Sequence, residues 1–420
     1  METTAQAPPA QLTFREVLQL PPVRRLWLAQ IVSIFGDFLA LFAVLSVVSF
    51  KLHGTAAQVT LISVFFMLPF AFLGPLAGVF VDRWNVKRTM IASDLIRAAL
   101  ALGLVFAHSL NQLYAILFVL SLVSTFFVPA QTITLRTIVP TNGLMAANAL
   151  MQQAFQMVRI VSPALAGLMV ERLGAQSCYY VDAASFLISA TLIAALTIAR
   201  EPKQPDPNSH PVKSLVDDLV AGIKFIFTHE TLAFVIVAMS AAMFAISCFG
   251  PLIAIYVRDD LHANSTAFGL INALIGVGMI AGTLNMNRLP ARLSKSHLIL
   301  LGLLTMGVFV LLLAAWRSLT GAGIGMFGVG IGVVFVFVSA QTMIQGQTPM
   351  EMMGRVSGSL MAALSWAQLI GLAISGSLAH TVGVRALFFA SAVMLAAFAC
   401  IGYFRLPQTA VSPAADATPS

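Results

Sequence analysis

Asp37 and Arg159 are the side chains of this 420-residue chain whose type and setting most invite chemistry. Each lies deep in a long apolar run, and at 1.5 Å per helical residue each is expected at roughly the midplane of a bilayer. A charge at that depth is costly unless paired or wetted, so such residues generally serve a function. The two are natural partners: an acid held there can carry a proton and release the arginine as it does so. The plainer alternative is a fixed ion pair tying two helices together. Asn148, Gln152, Gln156 and Arg159 are spaced 4, 4 and 3 apart, which aligns them on one helical face. Lipid would disfavour that face, so it is expected to look at a cavity or another helix.

A second constellation is the turn from Gly78 to Arg88, which reads G-x-x-x-D-R-x-N-x-K-R. Gly78 is expected to allow close helix approach. Asp82 can accept from backbone donors at the start of the next helix or pair with an arginine. Asn85 is a residue that tolerates a left-handed turn. Arg83, Lys87 and Arg88 can grip carboxylates or lipid phosphates, although an ordinary basic loop would look much the same. Asp94 and Arg97, three apart at the expected inner end of the following helix, complete a candidate cytoplasmic gate.

The elements that position these residues follow from composition. Hydrophobic residues make up 59% of the chain and charged residues 9%, against about 25% charged in soluble domains. The apolar runs have the ~20-residue length that crosses a bilayer and lack the alternation of barrel strands. The fold class is therefore an all-α membrane protein. Twelve helices are expected, over 26–50, 57–81, 89–108, 112–134, 144–170 and 178–199, then 231–256, 265–287, 297–316, 319–346, 354–379 and 384–404. With the N-terminus inside, 16 Lys and Arg fall on inner segments and 5 on outer loops, the bias that places both termini in the cytoplasm. It accounts for the +7 charge without a nucleic-acid partner.

Part of the chain also repeats. Leu52-His53 returns as Leu261-His262, Pro140 as Pro349, Gly167 as Gly376 and Gly174 as Gly383, each 209 positions on. Paired repeats of this kind typically bind a ligand at their interface and rock around it. The expected organisation is a cytoplasmic segment (1–25), a six-helix bundle (26–199), a linker with an amphipathic surface helix (200–230), a second bundle (231–404) and a disordered tail (405–420). Applied to the polar stripe, the offset selects Ser365 and Gln368, with Trp366 beside them, and pairs Asp37 with Ile246. A cavity between such walls would be amide-rich and charged on one side and apolar on the other, which suits an amphipathic substrate.

Other signals are weaker. Cys178, Cys248 and Cys400 have no metal or redox spacing. The GxGxxG at Gly323–Gly328 sits in an apolar helix with no preceding strand, so helix packing explains it better than a nucleotide does. No Walker lysine pattern occurs, so no ATP and no cofactor is expected. The first 25 residues lack the apolar core of a signal peptide.

The 78–88 turn resembles the loop between the second and third helices of the major facilitator superfamily, with Asn85 where that family has Gly. A remnant around Arg288, Arg292 and Lys295 stands at the matching place in the second half. Arg24-Arg25-Leu26-Trp27, Phe35-Gly36-Asp37, Phe127-Val128-Pro129-Ala130, Arg159 to Gly167 and Met353-Gly354-Arg355-Val356 resemble the macrolide-efflux and enterobactin-exporter branch. Ser162 and Ala166 replace two glycines of the antiporter motif in the fifth helix, and the fourth helix lacks the arginine of many drug antiporters. The resemblance implies the superfamily's two six-helix bundles and a proton-coupled exporter of amphipathic small molecules by alternating access, acting as a monomer in the cell membrane. A lysophospholipid flippase is the alternative within the same superfamily. A membrane-embedded enzyme or a non-transporting sensor are remoter ones.

Overall fold

The computed structural model describes residues 11–198, 211–286 and 294–405. In chain order the helices are α1 (Phe14–Gln19), α2 (Pro21–Ser46, continued by a π turn at Val47–Lys51), α3 (Ala56–Val81), α4 (Val86–Val105), α5 (Leu110–Ile138), α6 (Leu144–Arg172), α7 (Ala175–Ala194) and α8 (Pro211–Thr228). They continue as α9 (Glu230–Phe249), α10 (Leu252–Asp259), α11 (Ser265–Met286), α12 (Lys295–Ala315), α13 (Leu319–Gln347), α14 (Met350–Val382) and α15 (Val384–Arg405). No strand occurs among the described residues. Among the described residues, eleven helical stretches are long and apolar enough to cross a membrane. The expected span at 89–108 corresponds to α4, which has the length, at 20 residues, but carries Lys87, Arg88, Asp94 and Arg97. The linker prolines before Pro211, Arg288, Arg292 and the tail beyond Arg405 lie outside the described residues.

The 209-residue offset is written into the backbone. Helices begin where a side chain accepts from the free amides of the first turn, and the caps recur in register. Asn85 caps α4 and Ser294 caps α12; Ser109 caps α5 and Ser318 caps α13. Gly174 and Gly383 precede α7 and α15 with φ of 84° and 85°, a region closed to most side chains. His53 and His262 share φ values of 47° and 49°. Asn85 itself is extended, with φ −72° and ψ 104°; the left-handed turn expected there is replaced by a helix cap.

By contacts the chain divides into two compact units, one of Met1–Val44 with Phe72–Ser209, the other of Leu45–Ala71 with His210–Ser420. In the first, α2 lies against α6. Trp27 Nε1 donates to Leu150 O at 3.2 Å, Ser162 Oγ donates to Phe35 O at 3.4 Å, and Phe38 meets Phe155 edge-on at 5.7 Å. In the second unit α11 and α13 touch backbone to backbone. A Cβ at Gly278 would overlap Phe327 O, and one at Gly330 would overlap Ile275 O. Gly325 and Gly328 face α12 at Phe309 and Leu313, so the GxGxxG run is a packing stripe. The amphipathic α8 docks on α14: Arg355 Nε donates to Asp218 at 2.8 Å and Ser359 Oγ to Leu219 O at 3.1 Å.

Candidate functional site

The first unit encloses a charged cluster. Its centre is Arg97, on the middle turns of α4, with a side chain 3% exposed. The guanidinium lies between two aromatic faces, Phe127 of α5 at 4.4 Å and Phe186 of α7 at 4.3 Å from the ring centroids. Cation–π attraction of this kind is strongest where water is excluded. One terminal nitrogen donates to Asp94 Oδ1, one turn earlier on α4, and the other reaches Asp37 Oδ2 of α2 at 3.4 Å. Asp94 is fully buried, while the Asp37 side chain is 20% exposed. A third acid, Asp182 of α7, is fully buried beside them. A Cβ at position 36 would overlap Ser185 Oγ and Asp182, so Gly36 is what lets α7 come up against α2 at this level.

The cluster is not saturated. Asp37 Oδ1, Asp94 Oδ2, both Asp182 carboxyl oxygens and Arg97 Nε have no hydrogen-bond partner among the described residues. A buried ion pair holds only when its remaining lone pairs and protons are met. With every carboxyl ionised, three negative charges would face one guanidinium. Asp37 is the least buried member of the cluster, although its open Oδ1 is itself enclosed.

Three expectations are corrected here. Asp37 pairs with Arg97, whereas Arg159 makes no ion pair among the described residues and lies over the Phe155 ring at 5.7 Å. Asp94 and Arg97 are interior residues, paired with each other and with Asp37 instead of lying with the 78–88 turn. Gly78 makes no close approach, since a Cβ there would meet nothing within 4 Å. Asp182 and Phe186 belong to no motif in the sequence, and Phe127 enters only through the Phe127–Ala130 segment; an acid inside the apolar run 175–194 is the signal available for the first.

The other candidates lie on α6, on α14 and at the 78–88 turn. Asn148 and Gln152 are exposed on α6, Gln156 is half-buried and Arg159 exposed; Asn148 Nδ2 donates back to Leu144 O. In the second unit Ser365 and Gln368 are half-buried on α14. Trp366 is exposed and lines an apolar pocket of about 680 Å³ with Leu219, Ile223, Phe244 and Phe398. At the 78–88 turn Arg83 and Arg88 are exposed, Asp82 and Lys87 half-buried, and Trp84 stacks on Phe126 of α5 at 5.5 Å.

Repeated apolar helices, with a buried and incompletely satisfied charge cluster in the first unit, mark a multi-pass membrane protein. A family profile described as a transmembrane secretion effector, of the major facilitator superfamily, matches residues 16–419, and the chain belongs to that family. It is 24% identical over 392 residues to macrolide efflux protein A of Streptococcus pyogenes, covering 90% of this chain and 94% of that one. It is 27% identical over 375 residues to the enterobactin exporter EntS of Escherichia coli O1:K1 / APEC, covering 85% of each. The crystal structure of a point mutant of the nucleoside transporter NupG superposes with a TM-score of 0.74 at 13% identity, over 91% of this chain and 99% of that one; this likeness concerns the fold. These relatives are transporters, and so is this chain, rather than an enzyme.

Proposed function

We propose that the protein exports amphipathic small molecules from the cell in exchange for protons, and that Asp37, Asp94, Asp182 and Arg97 hold the transported proton. The observation that carries this reading is the unsaturated cluster itself, with three carboxylates, one guanidinium and a single member that is partly exposed. Protonating Asp37 removes its attraction for Arg97 and leaves Asp94 as the guanidinium's anion. A ligand or proton that favours one arrangement shifts the population toward it. Export as the direction is supported by the similarity to macrolide and enterobactin exporters. The Lys and Arg bias supports a cell-membrane protein with both termini inside. The amides on α6 and Arg159 are the groups proposed to take the polar part of the substrate.

The test uses the purified chain in proteoliposomes with an imposed pH gradient and a fluorescent amphipathic cation or macrolide as probe. Asp37→Asn is expected to abolish gradient-driven transport while retaining substrate counterflow, because binding and conformational exchange survive without a titrating group. Gradient-driven transport at the wild-type rate in Asp37→Asn and in Asp182→Asn would remove the proton assignment. Transport of a labelled lysophospholipid in preference to the probe would redirect the substrate class.

A further inference from the structure

The first unit also has a surface pocket whose lining includes none of the residues of the charged cluster. It measures about 630 Å³ and opens beside the turn between α3 and α4. Its mouth is formed by Arg83, Asn85 and Arg88, with Trp84 as one wall. Along α4 the lining continues through Thr89, Ser93 and Ile96, and α5 contributes Val123 and Phe126, the latter stacked on Trp84. No carboxylate lines it among the described residues. Phe80, Trp84 and Ile96 are 50%, 44% and 47% exposed, and Phe80 and Trp84 sit with their ring centroids 6.1 Å apart.

Along α4 this sequence of groups is graded: two guanidiniums and an indole at the turn, then the hydroxyls of Thr89 and Ser93, then Ile96, with Val123 and Phe126 of α5 as an apolar wall to this furrow. It follows the order of groups in a phospholipid, from phosphate through glycerol to chain. The turn follows the membrane span of α3, and the inner-side placement expected from the Lys and Arg bias sets the arginines at headgroup depth, where their stems can lie along apolar surface while the charges stay in the polar layer. Tryptophan favours the same layer. A free phosphate would use the mouth and leave the furrow empty, and a neutral apolar ligand would use the furrow and ignore the arginines.

We propose that this pocket binds an anionic phospholipid of the surrounding leaflet, with its phosphate between Arg83 and Arg88 and one acyl chain along Ile96, Val123 and Phe126. Asn85 stays engaged as the cap of α4, accepting from Arg88 N at 3.0 Å. Trp84, stacked on Phe126, joins the headgroup region to the chain groove. The site needs the membrane and the turn, not the proton chemistry, so either proposal can fail without the other.

The experiment measures lipid retained by the full-length chain on native mass spectrometry after mild delipidation and re-addition of equimolar phosphatidylglycerol and phosphatidylcholine. The wild type should retain phosphatidylglycerol preferentially, with a preference of roughly fivefold for each guanidinium engaged at the surface. Arg83→Gln with Arg88→Gln should bring the two lipids to near parity. Val123→Trp, which fills the furrow, should lower retention of both. Fluorescence adds a second readout: brominated-chain phosphatidylglycerol should quench a component that is absent in Trp84→Phe. Equal retention of the two lipids by the wild type, or an unchanged preference in the double variant, would overturn the proposal. So would complete displacement by millimolar inorganic phosphate with no effect of Val123→Trp, which would make the mouth a simple anion site.

Discussion

The same place in the two repeats is built in opposite ways. In the first, Gly36, Asp37, Asp94, Arg97, Phe127, Asp182 and Phe186 form the charged cluster. Moving each by 209 gives Ala245, Ile246, Leu303, Met306, Val336, Ser391 and Leu395. Ala245, Leu303, Met306, Val336 and Leu395 belong to one buried apolar core, and Ile246 packs against it. The helix caps and the left-handed glycines agree between the repeats, so equivalent positions of one helical plan hold an ion cluster in one unit and aliphatic packing in the other. The plan is satisfied by aliphatic packing. The charges of the first unit are therefore an addition to it, and removing them as a set should leave the helices able to pack.

That contrast can be broken from either side. The largest effect is expected from Met306→Arg, which places a lone charge in the apolar core. Uncompensated burial should cost about 5 kcal/mol or more, read as loss of monodisperse protein on size-exclusion chromatography. Next comes the reverse change, Arg97→Met, which leaves Asp37 and Asp94 without a counter-charge; breaking a buried pair from one side costs about 3–5 kcal/mol, read as a lower thermal midpoint in detergent. The combined replacement Asp37→Ile, Asp94→Leu, Arg97→Met and Asp182→Ser installs the second unit's residues together. Its stability should return to within about 2 kcal/mol of wild type, since an apolar substitute for a whole ion cluster is often neutral, while gradient-driven transport stays absent. Transport by that variant would show that the charges are dispensable. The smallest effect is expected for Gly36→Ala, which adds the methyl already present at Ala245. Overpacking against Ser185 and Asp182 should cost about 1–3 kcal/mol, and a neutral result would mean that α7 yields easily at this point.

Much of the fold was legible in the sequence because membrane helices are long apolar runs and because their caps repeat. The cluster was less legible, and one small displacement accounts for two of the losses. The third and sixth helices were expected to begin at 89 and 178, but α4 begins at Val86 and α7 at Ala175. Three residues at 1.5 Å each move a side chain by about 4.5 Å along the axis. That carries Arg97 deeper along its helix than the expected boundary placed it, and sets Asp182 well inside α7. The expected pairing of Asp37 with Arg159 failed for another reason. Depth along a helix says nothing about direction around it, and neighbouring residues point about 100° apart. Phe38 takes the side facing α6, which leaves Asp37 turned toward α4 and α7.

The constancy of the offset has a practical side. From the caps at Asn85 and Ser294 to the glycines at Gly174 and Gly383, the spacing never drifts by a residue. Two stretches of equal length that begin and end in matching backbone geometry are interchangeable parts. A segment bounded by Asn85 and Ser109 can be exchanged for the one bounded by Ser294 and Ser318 without adding or deleting a residue, carrying its own caps at both joints. Chimeras cut at these positions would let each helix be moved between the repeats as a unit, and let the lineage of the cluster be rebuilt one helix at a time.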